Sequence, residues 1–183
     1  MLTSSIATRP FETSITLSLE HVNAELSRAH QELYPERIPE QIPFSITLLY
    51  PWLPAAVLRE EELRRLSAFF AERPPLEFAL TRVTEFPGVV AYAVPEPDDN
   101  CARRCARSGP CTRSVHPTAA PGSEPPPHAT LTRYANPINA TFEQAKARVE
   151  PLLPVDCVVS EAILQEEYEL DRMRVRETFA FGG

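Results

Sequence analysis

His128-Ala129-Thr130-Leu131, inside the run PPPHATLTRY, sets an imidazole two residues from a hydroxyl. Ser45-Ile46-Thr47-Leu48, inside IPFSITLLYPW, repeats the spacing with a serine where the other stretch has histidine. In an extended strand, residues i and i+2 project from the same face. His128 with Thr130, and Ser45 with Thr47, are therefore two pairs of side chains that can each leave a strand together. An imidazole beside a hydroxyl is suited to moving protons around a phosphate, because its pKa lies near neutrality. Two such pairs facing each other would supply one general acid and one general base. Here only one pair keeps its imidazole, and a serine hydroxyl is a weak participant without another base beside it.

The elements that must carry these pairs can be read from periodicity. Residues 14–19 alternate as an opening strand. A helix is expected over about 21–34, and prolines at 35, 39 and 43 then break the chain before a strand at 44–50. The stretch 55–72 reads as one helix, with Val57, Leu58, Leu63, Leu66, Phe69 and Phe70 forming an apolar stripe. Residues 76–86 and 89–95 read as strands joined at Pro87-Gly88. A capped helix is expected over 137–152, followed by a hairpin of strands 157–168 and 172–181. Strand–helix–strand modules used about twice point to an α+β fold rather than a parallel, doubly wound one.

The chain of 183 residues is long enough for one domain with a real core, and its 43% hydrophobic and 23% charged residues are those of a globular protein. The formal net charge of −7 argues against tight, non-specific nucleic-acid binding, which rests on summed positive charge. No stretch approaches the apolar length of a membrane span, and the N-terminal residues lack the pattern of a signal peptide. A cytoplasmic location is expected.

The repeated pattern, the ITLLYPW run, the FPGVV turn and the PHATL strand together resemble the 2H phosphoesterase superfamily, in particular its 2′-5′ RNA ligase and cyclic phosphodiesterase branch. The resemblance runs from about residue 12 to the end, except for 98–125. It implies a single domain over 1–183, built as two pseudo-symmetric lobes of antiparallel strands with flanking helices around a central cleft. It also implies action on RNA 2′,3′-cyclic phosphates, 2′-5′ linkages or related nucleotide esters, with no required metal or other cofactor. Carried over, His128 is the acid/base, Thr130 and Thr47 are phosphate-contacting hydroxyls, and Ser45 stands where the family has its first histidine. Turnover is then expected to be impaired, and a phosphate-ester-binding pseudoenzyme is the alternative. The expected partner is a small phosphate ester or an RNA end, met by a monomer.

Other residues admit plainer readings. Tyr50 and Trp52 can stack a base or pack in the core and rim. Arg133 lies an odd number of residues from His128, so in a regular strand it faces away from the cleft. His21 and His30 sit on the first helix and need no special role, and Cys157 reads as a small core residue.

Residues 98–125 hold three of the four cysteines and shift abruptly in composition. Cys101, Cys105, Cys111 and His116 are conceivable metal ligands, but their spacing lacks the paired short knuckles of structural zinc sites. A compensated pair of frame changes accounts for the segment better. Reading the last base of each codon with the first two of the next turns every cysteine into Leu, Val or Met. With G/C-rich codons it also yields apolar residues at helical spacing, followed by a Gly-rich turn. As written, the segment reads as a disordered loop.

Overall fold

A computed structural model describes residues 11–97 and 126–182. All the expectations for 98–125, the cysteine–histidine set and the disordered loop included, lie outside the described residues.

Eight strands form one antiparallel sheet: β1 (Thr13–Ser18), β2 (Ser45–Leu49), β3 (Leu76–Phe86), β4 (Val90–Glu96), β5 (Ala129–Arg133), β6 (Val155–Val159), β7 (Glu161–Glu169) and β8 (Arg172–Ala180). Their order across the sheet is β6-β3-β4-β5-β2-β1-β7-β8. Four strands lie on each side of the β5–β2 seam, and the strands carrying the two motifs are the pair that meets there. The α+β expectation holds, and among the described residues three α-helices are added to the sheet: α1 (Ala24–Leu33), α2 (Glu60–Ala71) and α3 (Phe142–Val149).

Alternation sorts the side chains of the central strands. Ile15 and Leu17 of β1, Ile46 of β2 and Leu164 of β7 are in the core, while Ser14, Thr16, Ser45, Thr47, Gln165 and Glu167 line a cleft. Helix α1 starts at Asn23, whose side chain accepts from the backbone N–H groups of Glu25 and Leu26, and it buries Leu26, Ala29, His30 and Leu33. Pro87-Gly88 turns β3 into β4, with Gly88 at φ 75°, a conformation that glycine adopts without steric cost.

Three expectations need correction. The helix foreseen over 55–72 is a 3-10 turn at Ala55–Val57 followed by α2, because Arg59 is extended and its N–H bonds to the Glu62 carboxylate; Val57 is exposed. The helix foreseen from 137 begins at Phe142, capped by the reciprocal Thr141–Gln144 pair, while Asn136–Ala140 form a loop braced against other elements. The strand foreseen over 157–168 is two strands parted at Ser160: β6 pairs with β3 and β7 with β1. One residue thus joins a strand at one edge of the sheet to one near the other edge, so the sheet must curl strongly.

Glu166 of β7 is buried and takes bonds from two guanidinium groups of β8, Nε of Arg174 at 2.9 Å and Arg176. Burial pushes its carboxyl pKa up, but the bonds from Arg174 and Arg176 outweigh it and leave a net lowering. A lowered folded pKa means stability that is fully present above the unfolded value and lost as pH falls through the folded one. Acid titration of stability, followed by urea melts between about pH 5 and 3, should therefore be shallower in Glu166→Gln than in the parent; identical slopes would remove this contribution.

Candidate active site

A cleft of about 530 Å³ opens where the sheet's two halves meet, within the size range of small-molecule sites. Ile46 pairs with Ala129 across the seam. In an antiparallel ladder that register sets Ser45 across from Thr130 and Thr47 across from His128. All four side chains line the cleft, flanking two residues whose own side chains are fully buried. The structure thus brings together every residue singled out as part of the two motifs.

His128 is held on three sides. Its Nδ1 lies 2.9 Å from the carbonyl oxygen of Pro126, which can only accept, so Nδ1 carries a hydrogen and Nε2 is the nitrogen whose protonation changes. Phe86 and Tyr92 approach its ring edge-on, with centroids at 5.1 and 5.2 Å. Burial lowers its pKa from the ordinary imidazole value, and the Pro126 carbonyl works the other way by bonding the protonated ring. The FPGVV turn supplies Phe86, Val89 and Val90 to the cleft wall.

Tyr50 lines the cleft; Trp52 does not, and packs against the core while its backbone N–H donates to the carbonyl of Thr13 at 2.8 Å. Arg133 corrects the sequence reading, since it also lines the cleft. The reason is a bulge: Ala91 pairs with Thr132 and Tyr92 with Thr130, so Leu131 is an extra residue on β5 and the alternation shifts by one. No pattern in ATLTRY announces it. The Arg133 guanidinium hydrogen-bonds to Tyr34, whose hydroxyl pKa is raised by burial and pulled down by Arg37 and Arg133. Arg133 has no carboxylate partner among the described residues.

Three of the cleft's carboxylates accept hydrogen bonds from other groups. Asn139 Nδ2 donates to Glu36 at 2.7 Å, Arg37 to Glu40 at 2.6 Å, and the N–H of Asp171 to Glu167 at 2.8 Å. Arg133 is the guanidinium of the cleft that keeps no ion pair among the described residues, and it stands beside the motif strands. Among the described residues, no three His, Cys, Asp or Glu side chains converge as a metal centre would require. Cys157 is buried in the core, and burial pushes its thiol up to about 11.

The two motif strands are thus paired at the central cleft of one curled antiparallel sheet. The family model of the 2′-5′ RNA ligase superfamily matches residues 11–169, and the chain belongs to that family. Among solved structures, Escherichia coli LigT complexed with ATP is similar at 15% identity over 96% of this chain and 100% of that one, with a TM-score of 0.51. A protein described as a phosphoesterase is similar at 17% identity over 95% and 100% of the two chains, with a TM-score of 0.49. At these identities the likeness to LigT shows the fold. No curated protein matches the chain. No described helix is long and apolar enough to cross a membrane.

Proposed function

We propose that the protein is a 2H-type phosphoesterase that opens RNA or nucleotide 2′,3′-cyclic phosphates or cleaves 2′-5′ linkages, with turnover reduced because Ser45 occupies the position of the family's first catalytic histidine. The observation that carries this reading is the single cleft lined by Ser45, Thr47, His128 and Thr130 at the sheet's seam. Family membership supports the reaction class, and the LigT relative seen with ATP is in keeping with a nucleotide-sized occupant. His128 donates a proton to the departing ribose oxygen, Thr47 and Thr130 hydrogen-bond the phosphoryl oxygens, and Arg133 balances their charge. Tyr50 lies where it can stack on a base. The reaction needs no cofactor in this reading, which takes the chain as one cytoplasmic domain acting as a monomer.

The experiment is turnover of 2′,3′-cyclic nucleotides and 2′-5′-linked dinucleotides by the parent and by Ser45→His. General acid–base assistance is worth about 10²–10⁴-fold, and Ser45→His is expected to raise kcat by an amount up to that range. Cleavage by the parent that survives His128→Ala unchanged would refute the assignment. The serine at 45 also favours a second reading, a phosphate-ester-binding pseudoenzyme, for which binding without turnover in both proteins is the expected result.

A further inference from the structure

Acid–base opening of a phosphodiester requires a proton acceptor as well as a donor, and position 45 offers no imidazole. The cleft nonetheless has two. His30, on α1, lines the same cleft as His128, Ser45 and Thr47, though its sequence position gave no hint of this. Only 8% of it is exposed. Its ring is held by Phe44, the residue before Ser45, at 5.0 Å between centroids and by Tyr34 edge-on at 5.9 Å. Its ring nitrogens make no hydrogen bond among the described residues, yet neither is a sealed, unsatisfied atom, so the solvent that reaches them is that of the cleft.

The geometry points to His30 as the second imidazole of the cleft, the proton acceptor for the attacking water in place of the side chain missing at position 45. This assignment rests on the hydrolase reading above. In the step, the water oxygen bonds to phosphorus while the bond from phosphorus to the ribose oxygen breaks. A proton passes from that water to His30, and Nε2–H of His128 gives one to the departing oxygen. Solvent exchange then restores both rings, and nothing is oxidised or reduced.

The environments of the two rings sort the roles. Burial, with Arg37 adding a smaller push, lowers His30 to about 4, so near neutrality it is a lone-pair donor and not an acid. His128 is lowered too, but its proton is supported by the Pro126 carbonyl. Groups whose surroundings push their pKa values apart are suited to opposite duties. The other charged groups of the cleft are Glu36, Glu40, Glu167, Asp171 and Arg133. A base this weak leaves room for Ser45→His to improve on it.

The test measures kcat, KM and their pH profiles on 2′,3′-cyclic nucleotides for the parent, His30→Gln, His30→Phe, His128→Ala and the double variant His30→Gln/Ser45→His. The two His30 variants should lose about 10²-fold or more in kcat, with KM little changed, and should lose the acid limb near pH 4. His30→Phe fills the ring slot, so with an unchanged melting temperature it separates a lost nitrogen from lost packing. Adding Ser45→His to His30→Gln should restore most of the loss, which a merely structural His30 would not permit. Parent-like kcat and pH profile in His30→Phe, or a loss that Ser45→His does not recover, overturns the assignment while leaving the hydrolase reading intact. A parent with no turnover, or with turnover indifferent to His128→Ala, sinks the hydrolase reading and His30's role with it.

Discussion

His128→Ala should lower kcat on a cyclic nucleotide by about 10²–10⁴-fold while leaving the fold and most of the substrate affinity in place. The affinity argument follows from the division of labour in the cleft. Arg133, Thr47 and Thr130 line it independently of the ring, and they meet the phosphate before any proton moves. The same assignment fixes a pH dependence. A general acid works only while protonated, so kcat/KM should fall as pH rises through the His128 pKa. Burial places that pKa below the ordinary imidazole value of about 6.5. The descending limb should therefore lie on the acid side of neutrality and vanish in His128→Ala. A limb at or above pH 7 would mean that another group donates the proton.

Phe70→Ala should be the most damaging single change to the scaffold. Phe70 on α2 is fully buried and stacks on Phe179 and Phe181, with centroids at 5.9 and 5.2 Å, while Phe69 meets it edge-on at 5.1 Å. These rings fasten α2 to β8 and the residues after it. Truncating a buried phenylalanine costs about 3–5 kcal/mol. At about 2–4 °C per kcal/mol for a domain of this size, the midpoint should fall by roughly 6–20 °C. Phe70 does not line the cleft, so kcat/KM measured well below the lowered midpoint should match the parent. Catalytic loss at a temperature where the variant is fully folded would show that this aromatic cluster reaches the site.

The motif strands were legible because their meaning is local: the i, i+2 geometry of a strand sends Ser45 with Thr47, and His128 with Thr130, to one face whatever surrounds them. That the two strands would be neighbours was carried by the family resemblance, and the register of Ile46 on Ala129 could come only from the fold. Arg133 was misread for a definite reason, since the parity argument is sound until a bulge adds a residue, and Leu131 adds one. His30 was set aside because a helix position says nothing about which distant strand it will face. The start of α3 is in principle readable, for Thr141 and Gln144 have the spacing of a reciprocal cap, which sets the boundary after Thr141 and not at 137. The single residue between β6 and β7 broke the strand without a glycine or proline to mark it.

The 3-10 turn at Pro35–Glu40 has a consequence for how the cleft can move. At the seam only one rung, Ile46 with Ala129, ties β2 to β5, so this is the cheapest line along which the sheet could part. The turn spans that line. On one side Glu36 is bonded to Asn139, which also donates to the carbonyl of Arg133 at 3.0 Å; on the other, Glu40 accepts from the N–H of Met173 at 3.3 Å. Swinging the halves apart must break the bonds at one anchorage or the other of a segment stiffened by two prolines. Among the described residues the aperture is in effect strapped at a fixed width, which favours selection of an occupant by its dimensions on arrival.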